Sequence, residues 1–285
     1  MRLYSYIVSA SSNPDNVECY VPFRINSELI FFGPCKRALR KELRKEFDLS
    51  ENGEVELVND EIYVMGLNGS NNEKNRKIVW LGKIIKLLTF ERAYHLYAEN
   101  EDFKSMVNNP ISPLHVKPLY NQNNEFIGYE LISKMHEDNN EWIKDIAKTD
   151  FKGISSDSKS FKLKDGFSRE ILEKDCCFIC ENIFFAEGGG FEIDSELLQL
   201  FKTAQPRKNV DKYAIFGRDK NDNANGLRGT CLKIVNPAII TKFVSHISKN
   251  SKSLPKSQPY LSNSEKYRSC CCDVIDEKDI TNGKC

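Results

Sequence analysis

Six cations crowd into ten positions near the amino terminus: Lys36, Arg37, Arg40, Lys41, Arg44 and Lys45. On a helix turning about 100° per residue they fall within one half of the circumference. Leu39, Leu43 and Phe47 form an apolar stripe beside them, Cys35 sits near its edge, and Glu42 and Glu46 lie beyond the stripe. This segregation has two readings. The local one is a surface helix docked through its stripe, with solvated charges outside. The chemical one is a set of phosphate contacts, each adding a salt-sensitive, sequence-independent increment to DNA binding.

Other residue types could also do chemistry. Cys35, flanked by cations at a helix start, has the surroundings that turn a thiol into a nucleophile. His115, between Pro113 and Pro118, has the residue type of a general base. No Ser, Cys or Asp is tied to it by spacing, which favours a packed or solvated imidazole. His136, after Met135, reads the same way, and His95 and His246 carry less signal still. Tyr4, Tyr6, Tyr63 and Trp80 lie in strand-like runs, where aromatics either stack on an exposed base or fill a core. Cys177 and Cys180 are three apart in a strand-like run, so their side chains point to opposite faces and cannot chelate together. Cys270, Cys271, Cys272 and Cys285 give three adjacent thiols and no second C-x₂-C pair, a poor tetrahedral set. Arg218 and Arg228 flank Gly-rich loops that lack either nucleotide-binding glycine fingerprint. No metal or cofactor is expected.

These residues need elements to position them. The chain has 285 residues, with 41 basic and 41 acidic side chains, so no global field advertises a polyanionic partner. No apolar run is long enough for a membrane span, and the amino terminus lacks the apolar core of a signal peptide. The expectation is a cytoplasmic protein with reduced thiols. Strands are expected around Leu3, Leu29, Glu61, Arg76, Phe126, Cys177, Lys212 and Cys231. Helices are expected after Pro34, after Thr89 as N-cap, from Asp194, and from Asn236 with Pro237 in the first turn. The polar run GLNGSNNEKN from Gly66 reads as a hairpin connection. This irregular alternation predicts an α+β fold in a single domain over 1–249. A flexible Ser/Lys/Pro-rich tail over 250–285 carries the cysteine cluster.

The segment order carries a resemblance. It runs YSYIV from Tyr4, PFRI from Pro22, Cys35-Lys36-x-x-Leu39-Arg40, DEIYVMG from Asp60, KIVWLGKI from Lys77, then Thr89, Phe90 and Glu91, and later CFICENIFFAEGGG from Cys177. In this order the chain resembles the second class of nucleotide-modification-associated domains. Its strand–strand–"TFE" helix segment also resembles the PUA-like barrels, including the EVE type. Asn59, Asp60 and Glu61 stand where the family has Gly-Asp, and SPLHVKPLY from Ser112 through Trp142 has no counterpart.

The resemblance implies a PUA-like mixed β-barrel elaborated by helices, which recognises modified-base nucleic acid or a modified nucleotide in a DNA-modification or phage-defence system. The six cations would meet phosphates. Tyr4, Tyr6, Cys35, Tyr63, Trp80, His115 and Arg218 would form the base pocket. Two alternatives stay open: an enzyme that installs or removes a base modification through Cys35 or His115, and a docking protein for a partner encoded by a neighbouring gene.

Overall fold

The computed structural model describes residues 1–7, 23–33, 36–49, 51–67, 77–99, 114, 116–132, 139–148, 152–185, 190–201 and 232–251. The expected strand at Lys212, the tail cysteines and the sites Cys35, His115 and Arg218 lie outside these residues.

The architecture is α+β, built on two sheets. The larger follows the path β13 (Leu232–Ile234), β1 (Arg2–Ile7), β5 (Ile62–Leu67), β6 (Lys77–Leu88), β11 (Cys177–Phe185), β3 (Leu29–Phe32) and β2 (Phe23–Arg24). Two short strands, β4 (Glu54–Glu56) and β12 (Phe191–Glu192), pair with β6 off this path. Among the described residues only β1 and β5 run parallel; the other pairs are antiparallel. The antiparallel β5–β6 pairing is what a hairpin at Asn68 and Gly69 requires. Among the described residues this sheet is open, with β13 and β2 at its two ends, and no barrel closes.

The smaller sheet has the order β7 (Val116–Tyr120), β8 (Phe126–Leu131), β10 (Ser160–Leu163) and β9 (Ile154–Ser156). It is antiparallel throughout. Its first two strands lie between Ser112 and Trp142, its last two beyond.

β11 shows how the layers meet. Phe178 and Cys180 enter one hydrophobic cluster, Cys177 and Ile179 the other. Ile30 and Phe32 of β3 likewise part from Phe31. The period-two alternation of a pleated strand thus gives the large sheet two dry faces. The first cluster takes Leu39 and Leu43 of α1 (Arg37–Glu46), Leu197 of α4 (Ser195–Phe201) and Ile240, Phe243 and Ile247 of α5 (Pro237–Asn250). The second takes Phe90 and Ala93 of α2 (Phe90–Glu99), Ile143 and Ile146 of α3 (Asn139–Ile146), and Tyr129 and Phe161 of the small sheet.

Three helix starts follow from their caps. Thr89 Oγ1 accepts from Arg92 N at 3.1 Å, Asp194 Oδ1 from Leu197 N at 2.8 Å, and Asn236 Oδ1 from Ile239 N at 3.2 Å. α1 differs: Lys36, in the left-handed region at φ 58°, offers it no side-chain cap.

Candidate nucleic-acid interface

α1 lies against β1 and β13 with its charges sorted. Glu42 pairs with Lys233 and accepts from the Tyr4 hydroxyl at 3.2 Å; Glu46 pairs with Arg2. Both acids of the helix are therefore neutralised by the body of the protein. On the other side Lys36, Arg37, Arg44 and Lys45 pair with no carboxylate among the described residues. Lys45 is exposed, the other three half-buried. Lys36 rests its ammonium over the Tyr6 ring, 5.4 Å from the centroid. Lys41 meets Glu173 at 3.1 Å.

Arg40 is a correction to the expected six-cation face. Its side chain is fully buried and over the Phe90 ring. Its guanidinium donates to the carbonyls of Lys174 and Cys176 and, at the end of α3, of Asp145. Each of those carbonyls would otherwise lack water, so the cation serves the core and meets no phosphate. Beside it Lys174 is buried too and donates to Ala147 O at 2.9 Å. Burial pulls the Lys174 ammonium below its ordinary pKa, and Arg37, Lys41 and Arg40 add to that against the opposing pull of Glu173.

The aromatics expected in a base pocket are packed in the first cluster. Trp80, Tyr4 and Tyr6 are at most 2% exposed and Tyr63 is 8% exposed. The Trp80 indole N–H donates to the Tyr6 hydroxyl at 2.8 Å, and both rings abut Phe32. These four side chains offer no open stacking face, and the hydroxyls of Tyr4 and Tyr6 are used internally. Cys177 and Cys180 are likewise buried on opposite faces of β11, and burial holds both thiols well above their ordinary pKa.

A second polar assembly joins α2 to the small sheet. Asp175, 1% exposed, accepts from Phe90 N at 2.8 Å, from the Tyr129 hydroxyl at 2.8 Å and from Arg169 at 2.7 Å. Arg169 also pairs with Glu91 and lies over the Phe126 ring. Glu91 takes the Tyr120 hydroxyl proton at 2.7 Å, and Tyr120 in turn meets His95 Nε2 at 2.6 Å. Because the Tyr120 hydroxyl spends its proton on Glu91, it accepts from His95, which fixes Nε2 as the protonated nitrogen. Burial, then Asp175, keeps the Tyr129 phenol well above its ordinary pKa; burial, then Glu91, does the same for Tyr120.

Sequence reasoning missed Arg169, Asp175, Tyr120 and Tyr129. The one legible part was the "TFE" turn, whose Thr caps α2, whose Phe is buried and whose Glu reaches Arg169. Among the described residues no group of three or more His, Cys, Asp or Glu is placed to hold a metal ion. No described helix is long and apolar enough to cross a membrane. Set against family models, curated proteins and solved structures, the chain finds no match in any of the three.

Proposed function

We propose that this chain is a binding module for nucleic acid, engaged through the phosphate backbone by the outer face of α1. The observation that carries the reading is the charge sorting on that helix. Its acids are paired with Arg2, Lys233 and Tyr4, while Lys36, Arg37, Arg44 and Lys45 carry charge that no described carboxylate offsets. In a chain of zero formal net charge, such a local excess is the electrostatic footprint of a polyanion.

Recognition of a modified base, and the PUA-like character of the β5–β6–α2 unit, belong to this proposal through the sequence resemblance. The base would be met by Cys35, His115 or Arg218 rather than by the four buried aromatics. A role for the module in DNA modification or phage defence comes from the same resemblance.

The test is a titration of the full chain with labelled duplex, modified and unmodified, from ~50 to ~200 mM salt. Arg37→Glu, Arg44→Glu and Lys45→Glu together should flatten the log–log salt dependence by about 2 to 3 units, one per lost phosphate contact. An unchanged slope sinks the reading. Capture of an acidic protein by wild type, with no affinity for duplex, would select the docking alternative.

A further inference from the structure

We infer that Glu173 is the resident counter-anion of a phosphate subsite formed by Arg37, Lys41 and Lys174, and that a bound phosphate takes the place of its carboxylate. The inference rests on the phosphate-facing reading of α1 and deepens it by naming where one phosphate sits.

Glu173 Oε1 lies 3.1 Å from Lys41 Nζ and 3.8 Å from Lys174 Nζ. One oxygen thus stands between a half-exposed lysine and a buried one, with Arg37 and Arg40 close enough to act on the same ammonium. Arg40 is committed to backbone carbonyls, which leaves Arg37 and Lys41 as the outer cations of the group.

A carboxylate oxygen and a phosphate oxygen present the same acceptor, but phosphate brings more charge and a third oxygen to the cations around it. The exchange needs only a side chain to swing. Glu173 sits between Leu172 and Lys174, whose backbone is pinned: Lys174 N donates to Ile146 O at 3.1 Å and its carbonyl accepts from Arg40. The Glu173 side chain is 19% exposed and that of Lys41 37%, so the pair is open to an arriving ligand. Lys41 holds the exposed end of the pair, where solvent screens the attraction. Lys174 supports the subsite from beneath, its ammonium oriented by Ala147 O.

The experiment follows Glu173→Gln in the full chain by fluorescence anisotropy of a labelled 20-base-pair duplex of mixed sequence. The expected result is binding about threefold to tenfold tighter at ~100 mM salt, with a salt slope steeper by about one, since one cation regains a phosphate. Glu192→Gln is the control. Glu192 pairs with Lys77 at the opposite end of β6, so it changes net charge equally without touching α1. A Glu173→Gln affinity no greater than wild type overturns the subsite, and so does an equal gain from Glu192→Gln. If wild type itself shows no salt-dependent binding, the phosphate reading of α1 falls as well. If wild type binds and only the gain is missing, the subsite alone falls. Inorganic tripolyphosphate in place of duplex separates the sources of phosphate. Tighter binding of both by Glu173→Gln describes a subsite open to free nucleotides, a gain with duplex alone describes a backbone subsite, and no gain with either overturns it.

Discussion

Arg40 and Arg44 stand one helical turn apart, yet one is sealed in the core and the other reaches the surface. Removing the Arg40 guanidinium takes a donor from the carbonyls of Asp145 and Cys176 and leaves that of Lys174 with Cys176 N. Arg40→Met should therefore cost about 3–5 kcal/mol, while Arg44→Met stays within about 0.5 kcal/mol; paired chemical denaturation curves check both. Asp175→Ala belongs with Arg40, because it orphans Phe90 N and leaves the half-buried Arg169 with Glu91 as its remaining acid partner. Its loss should also be about 3–5 kcal/mol, read the same way. The depth of Arg40 was partly legible. On the helical wheel it sits about 20° from Phe47 and about 60° from Leu43, inside the margin of the apolar stripe. Sequence supplies the angle but not the three carbonyls, which come from residues more than one hundred positions away. The same limit hid the true surroundings of Tyr6 and Trp80. Alternation marks a strand aromatic as facing one side, and only the covering layer decides whether that side is wet.

At the scale of elements, the large sheet was legible and the small one largely was not. β1, β3, β5, β6, β8, β11 and β13 announce themselves by runs of branched and aromatic residues, and three helix starts by capping residues. β9 and β10 carry three serines and a lysine in seven residues, a composition that reads as turn, and α3 opens on two asparagines. Their pairing is instead supplied by tertiary contacts: Phe161 packs beside Tyr129, and Gly128 admits the neighbouring backbone. Gly128 has φ 151°, and a Cβ there would lie 2.1 Å from Phe161 O. Gly128→Ala should thus separate β8 from β10 at a cost of about 2–3 kcal/mol. Hydrogen exchange would show protection lost at Phe161 and Lys162 first, with β5 and β6 unaffected.

For the molecule as a whole, the buried thiols set an alkaline limit. Burial pushes Cys176 up to about 12, and Cys177 and Cys180 well above their ordinary value. The folded state keeps protons that the unfolded chain gives up from about pH 8.5. The stability these thiols contribute is therefore complete below that pH and is lost as pH rises towards 12, by at most about 1.4 kcal/mol per pH unit for each thiol. Lys174 works with the opposite sign, because its lowered pKa makes its charged form a burden that deprotonation relieves. Guanidinium midpoints at pH 7.5 and 9.5 test the balance, and Cys176→Ala should show a smaller alkaline drop than wild type. The placement of β1 bears on how the protein comes to exist at all. Leu3 faces Tyr63 on one side and Ile234 on the other, so β1 waits for partners synthesised far later. Until β13 leaves the ribosome, a nascent chain that has paired β1 with β5 presents β1 as a bare edge, open to pairing with another chain. Assembly of such distant strands is slow, and chaperone occupancy during translation should concentrate in the interval between β5 and β13.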